Sequence, residues 1–245
     1  VAAAINSGAG GGSFVSFPTL VFLGVPPISA NATNSVAMWI GGAGSIGAYR
    51  DMLGSPTRRL LIMLAVCVLG GAAGALLLLH TPQHAFDVIV PWLLLFATVL
   101  FACGPILKKL RERDRAKGED LTEPPIFALL PVFVVAVYGG YFGGGQGFLL
   151  LAMFALVGIA NVQRANALKI VFSFVNNGVS TIPFVVAGVL EWDVAAVMCV
   201  SAVLGGYYGG KVVRKLPGEP LRWGIVTLGI VLTVLFFVRA HYATA

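Results

Sequence analysis

Five stretches of this chain contain no charged side chain: Val1 to Tyr49, Leu60 to Phe86, Val88 to Leu107, Pro124 to Gln163 and Ile170 to Leu190. Each reaches the roughly twenty residues that cross the hydrocarbon core of a bilayer. A water-soluble helix of that length carries a charged stripe opposite its buried face. With only 11% of 245 residues charged, a wetted surface could not be covered. The chain is therefore expected to be a polytopic membrane protein. A soluble enzyme, a secreted cysteine-rich module and a nucleic-acid-binding domain are excluded. The net charge of +6 sits mostly in short loops between apolar runs, so it points to topology and not to nucleic acid. Cys67, Cys103 and Cys199 lie inside apolar runs at unrelated spacings and read as small hydrophobes.

The hydrophobic segments fall at about 1–23, 28–49, 60–79, 88–107, 126–157, 166–187, 194–213 and 222–238. In lipid they are predicted to be helical, because an unpaired backbone amide has no water to bond. The loop with Arg50, Arg58 and Arg59 and the loop from Lys108 to Lys117 should both face the cytoplasm. The loop with Lys211, Arg214, Lys215 and Arg222 should too, while the turn with Glu191 and Asp193 suits the outside. These assignments agree only if segment 126–157 enters and leaves on one side. It is predicted to be a re-entrant hairpin or a pair of short spans, and segment 1–23 a hairpin opening to the outside; a simple eight-span arrangement is the alternative.

Two glycine clusters mark the middles of these segments, Gly8-Ala9-Gly10-Gly11-Gly12-Ser13-Phe14 and Gly143-Gly144-Gly145-Gln146-Gly147-Phe148-Leu149. Each is followed by an apolar stretch, a further glycine (Gly24 or Gly158) and a polar patch at the mouth of the next span. Loops at matching positions carry opposite charge bias, the trace an inverted-topology repeat leaves in sequence. The expected architecture is all-α: two inverted repeats, each a glycine-broken helical hairpin followed by three transmembrane helices. The predicted divisions are a membrane repeat at 1–107, a charged cytoplasmic linker at 108–125 and a second membrane repeat at 126–245.

Consecutive glycines cost helix stability, so these clusters predict chain breaks. A break frees backbone N–H groups, and the half-helix after it adds a positive dipole end that can hold an anion. Gly10, Gly11, Gly12 and Ser13 with Gly143, Gly144, Gly145 and Gln146 are expected to frame one anion pocket. Lys169, inside the sixth segment, is either a snorkelling anchor or a pocket cation that attracts the anion. Asn31, Thr33, Asn34, Ser35, Asn161, Gln163, Asn166, Asn176 and Asn177 suggest a polar path between the halves. No acidic residue lies within the assigned interior of a span, which favours an anion over a cation as cargo. There is no catalytic constellation, no metal site and no cofactor motif.

At these residues the sequence resembles the TauE/SafE family of sulfite and sulfonate exporters. The motifs are GAGGGSFVSFPTL followed by ANATNS, and GGYFGGGQGFLLL followed by RANALK. Ala152-Met153 departs from the pattern, standing where a proline like Pro18 would be expected. The resemblance implies secondary transport of a small sulfur-containing anion across the bacterial plasma membrane. It implies Gly10 to Ser13, Thr33, Asn34, Gly143 to Gln146 and Asn166 as binding residues. A passive anion channel and a carrier of small carboxylates are the alternatives. The coupling ion, proton or sodium, and a homodimer are left open.

Overall fold

The computed structural model describes residues 2–9, 11–49, 52–53, 57–106, 109, 112, 121, 124–209 and 218–244. All regular structure among them is helical, as the continuous apolar runs predict. In the first half, α1 (Ala2–Ala9) and α2 (Ser13–Phe22) precede α3 (Pro27–Tyr49), α4 (Arg58–His80) and α5 (Gln83–Ala102). In the second, α6 (Leu129–Tyr141) and α7 (Gln146–Leu156) precede α8 (Val162–Val186), α9 (Trp192–Leu204) and α10 (Gly218–Thr244). A π-helical turn, Gly205–Gly209, continues α9. Gly10 and most of the expected linker at 108–125 lie outside the described residues.

Both glycine clusters break the helix, as expected. At about 1.5 Å per residue α6 and α7 are only about 20 and 16 Å long, short of a bilayer core of about 30 Å. α1 and α2 are shorter still. By contrast Arg58–His80, Gln83–Ile106 and Val162–Val186 are each long and apolar enough to cross. Leu61, Leu69, Leu77, Leu130, Val186 and Val200 project outward, so the exterior is as apolar as the interior. That suits lipid as the surrounding solvent.

Local chemistry sets the helix ends. Asn161 caps α8 by accepting from Arg164 N at 3.0 Å, and Thr57 caps α4 by accepting from Leu60 N at 3.2 Å. α2 and α7 stop in the same way: Val25 N donates to Leu20 O at 3.1 Å around Gly24, and Ile159 N to Phe154 O at 2.9 Å around Gly158. Both are Schellman stops.

Helix pairing follows a regular exchange. α3 and α8 run antiparallel, since Thr33 meets Glu191, Trp39 meets Phe174 and Gly178, and Ile46 packs near Ile170. α4 lies parallel to α8, with Cys67 beside Phe172 and Gly71 beside Asn176. α9 lies parallel to α3 in the corresponding manner, with Gly41 against Ala202 and Ser45 beside Gly206. α5 and α10 are antiparallel, Trp92 meeting Phe237 and Thr98 meeting Gly229.

Small residues permit the closest of these contacts, the usual device where lipid removes the hydrophobic drive for helix association. A Cβ built on Gly70 would lie 2.8 Å from Phe133 O, and one on Gly74 would meet the carbonyl of Val137 and the amide of Tyr141. Gly140 likewise faces the Gly71 carbonyl. The α4–α6 seam is thus closed backbone against backbone. Trp39 packs between helices, on the Gly178 backbone with its ring 6.0 Å from that of Phe174.

Candidate functional site

The two breaks meet in the middle of the bundle. Phe17 of α2 stands edge-on to Phe142 at the second break, with ring centroids 5.4 Å apart. A Cβ at Gly145 would come within 3.3 Å of the Phe14 ring. The first turn folds α2 back on α1, so a Cβ at Gly12 would strike the Ala2 carbonyl and Asn6. Gly11 packs against Phe101 and Ile225.

The second break is built on left-handed backbone. Gly143 has φ +71° and Gly145 has φ +77°, a region that side chains with a Cβ rarely adopt. Phe142 N and Gly143 N both donate to Tyr138 O, at 2.9 and 3.3 Å, while the Tyr138 hydroxyl donates to Gly144 O at 2.6 Å. This lash holds the turn so that α7 starts inside the bundle. The turn carbonyls take up two of its opening amides, Gln146 N donating to Gly143 O at 3.2 Å and Phe148 N to Gly145 O at 2.9 Å, while the start of the helix keeps its positive dipole end. Replacing Gly145 by alanine is expected to lower the melting temperature by several degrees. It adds about 1 kcal/mol of left-handed strain and sets a methyl 2.8 Å from Ala97 Cβ. Thermal unfolding of purified protein in detergent measures this.

Two small polar cavities lie along the α3–α8 seam. The first, of about 10 Å³, is lined by Ser13, Asn34, Ser35, Gly143 and Gln146 among others. The second, of about 20 Å³, reaches Lys169, Gly42 and Ser45. Asn6, Met38, Gly147, Ser173 and Asn177 line both, so the two form one path. Each has room for about one water molecule. A bound oxyanion therefore requires the walls to part.

Hydrogen bonds orient the lining. Ser16 Oγ donates to Asn34 Oδ1 at 2.5 Å. Asn176, with its amide turned to satisfy its neighbours, accepts from Gln146 Nε2 at 2.9 Å and from Gly140 N at 3.2 Å, and donates to Ala136 O at 3.2 Å. Gln146 is thereby fixed at the start of α7. Lys169 is only 2% exposed and donates from Nζ to Asn6 O at 3.3 Å. It turns into the bundle and toward α1; its ammonium does not reach the surface.

Of the expected residues, Ser13, Asn34, Gly143, Gln146 and Lys169 line this path. Gly11, Gly12, Gly144 and Gly145 shape the two turns beside it. Thr33 does not line either cavity; its hydroxyl accepts from Glu191 N at 3.1 Å, tying α3 to the α8–α9 turn. Asn166 is also outside the lining. Its Oδ1 is buried without a hydrogen-bond partner, and so is that of Asn31, whose Nδ2 donates to Tyr141 O at 3.0 Å.

Asn6, Met38, Ser45, Gly147 and Ser173 are lining residues that sequence reasoning missed. A signal for two of them exists. With Ala30-Asn31-Ala32 set against Ala165-Asn166-Ala167, Asn34 matches Lys169. Steps of four then reach Met38 and Gly42 on α3, and Ser173 and Asn177 on α8. That spacing is one helix face, and all six residues line the path. Among the described residues no group of three or more His, Cys, Asp or Glu side chains comes together to hold a metal.

The sequence model of the sulfite exporter TauE/SafE family matches residues 1–236. A "Probable membrane transporter protein" of Haemophilus influenzae is 31% identical over 235 residues, covering 95% of this chain and 89% of that protein. "Probable membrane transporter protein YfcA" of Escherichia coli K12 is 30% identical over 241 residues, 97% of this chain and 86% of that one. A third, "Probable membrane transporter protein ORF9" of a Sinorhizobium species, is 26% identical over 96% of this chain and 87% of its own length. No solved structure matches the chain.

Proposed function

The chain belongs to the sulfite exporter TauE/SafE family of membrane transporters, and on that footing we propose that it is a secondary transporter of a small organosulfur anion across the bacterial plasma membrane. The observation that carries this reading is the convergence of two glycine breaks on one polar path with a buried lysine in its wall. The N-terminal ends of α2 and α7 point partial positive charge at the path. Ser13, Asn34, Gln146 and Asn177 supply neutral hydrogen-bonding groups, and Lys169 supplies the full charge. Such donors bind sulfite or sulfonate oxygens, and among the described residues no like-charged carboxylate stands in the lining of either cavity.

The two halves are proposed to be inverted repeats. Support comes from the pairing exchange, in which α3 with α8 and α5 with α10 are each antiparallel, and the α4–α8 contact is echoed by α9–α3. Alternating access then consists of one hairpin-bearing half rocking against the other, opening the path to each face in turn. The closed cavities fit an occluded arrangement between those two.

The test is uptake by purified protein in proteoliposomes, over a panel of sulfite, ethanesulfonate, thiosulfate and small carboxylates. Saturable uptake of one or more sulfur anions is expected. Flux that never saturates would mark a channel instead, and carboxylate preference would overturn the cargo assignment. Asn34→Leu should lower saturable uptake roughly tenfold, the loss of one good hydrogen bond to a charged group. Folded yield should stay near wild type; unchanged uptake would remove Asn34 from the site.

A further inference from the structure

A groove of about 580 Å³ opens between the first hairpin, α3 and α9. Ala3, Val15, Leu20, Val197 and Met198 make it largely apolar, with Ser16, Thr19 and Ser201 along it. Three observations connect it to the polar path. Met38 lines the groove and also both cavities, so its side chain stands between them. Ser16, on the groove wall, is hydrogen-bonded to Asn34, which lines the first cavity. Finally, the corresponding seam in the other half, between α4 and α6, is shut by glycines at backbone contact.

We propose that this groove is the access vestibule of the anion path, and that Met38 with the Ser16–Asn34 pair is its gate. The inference rests on the reading that the polar path holds the transported anion, and it names the occupant of the groove as that anion in passage. One seam is sealed and its counterpart is open down to the gate, so the occluded path has a vestibule on one side only. The groove lies on the side of the Glu191–Asp193 turn, which the loop charges place outside. Its acid, Asp193, sits in the first turn of α9, where the helix dipole offsets its charge toward an approaching anion. Met38 suits a gate because an unbranched thioether side chain can change rotamer without disturbing its neighbours.

The experiment uses the full chain with Cys67, Cys103 and Cys199 replaced by alanine and a cysteine introduced as Met38→Cys. The probe is sulfonatoethyl methanethiosulfonate, an anionic thiol reagent added from water. Val197→Trp, which fills the groove from α9, should slow labelling at position 38 at least tenfold. Thr19→Trp fills it from α2 and should do the same, keeping the test valid if either variant folds poorly. Val200→Trp, on the same helix but pointing out of the bundle, should leave the rate unchanged. Equal labelling rates with and without the plug would overturn the proposal and leave the groove as a seat for a lipid chain. So would a position 38 that never reacts. Slowed labelling in a protein that carries no anion would instead sustain the route and refute the transport reading.

Discussion

Replacing Lys169 by methionine is expected to reduce saturable anion uptake and anion affinity about thirtyfold while leaving the protein folded. The lysine is 2% exposed and its ammonium lies in the wall of the polar path, donating to Asn6 O. A charge-assisted contact to an anion contributes about 2 kcal/mol, which corresponds to that factor. Methionine keeps the length and apolar stem of lysine, and relief from burying an ammonium offsets the loss of its bond to Asn6 O. Lys169→Arg separates charge from fit. The guanidinium keeps the charge but is too large and planar for a cavity of about 20 Å³, so it should also impair transport. Binding by titration calorimetry and uptake per folded molecule are the measurements. Wild-type affinity in Lys169→Met would show that the buried ammonium serves packing alone.

The largest structural effect is expected at Gly74. Its Cβ position is occupied by the Val137 carbonyl and the Tyr141 amide, both backbone atoms of α6 that cannot rotate away. Gly74→Val must push α4 and α6 apart along their whole seam. Overpacking of that kind costs about 3 kcal/mol or more, a large share of the stability of a typical domain. The monodisperse fraction on gel filtration should fall below about a tenth of wild type. Gly224 is the control: it is helical and exposed, and a methyl added there would have nothing within 4 Å. Gly224→Ala should be neutral or add up to about 1 kcal/mol, as alanine favours helix over glycine. Equal yields of the two variants would show that the α4–α6 contact is looser than described.

Much of this architecture is legible in the chain because lipid leaves few options. Long charge-free runs must be helices, and a run such as Gly143-Gly144-Gly145 must interrupt one. The hairpin at 126–157 is legible less directly, through the charge bias of the flanking loops, which favours its two ends sharing a side; α6 and α7 meet at a break at Phe142–Gly145. What the sequence withholds is rotation about each helix axis. Thr33 and Asn34 are neighbours, yet one binds the α8–α9 turn and the other lines the path. A step of one residue turns a helix by about 100°, so adjacent polar residues serve different surfaces. Lys169 poses the same problem in depth, since a lysine near a helix start can snorkel or turn inward. Only the fold, through Asn6 on a hairpin far away in sequence, settles which way it points. Asn6 itself is illegible, because nothing in a short apolar segment says that its inner face meets α8.

Opposed helix breaks are proposed to present their donors to one anion. Selenite, a heavier analogue of sulfite, tests it by anomalous diffraction from crystals of the protein grown with that ion. A selenium peak is expected between Ser13 and Gln146, within reach of Asn34 or Lys169, and it should disappear when excess sulfite is added. A sulfite-sensitive peak elsewhere, or transport of selenite by protein whose crystals show none on this path, would contradict it.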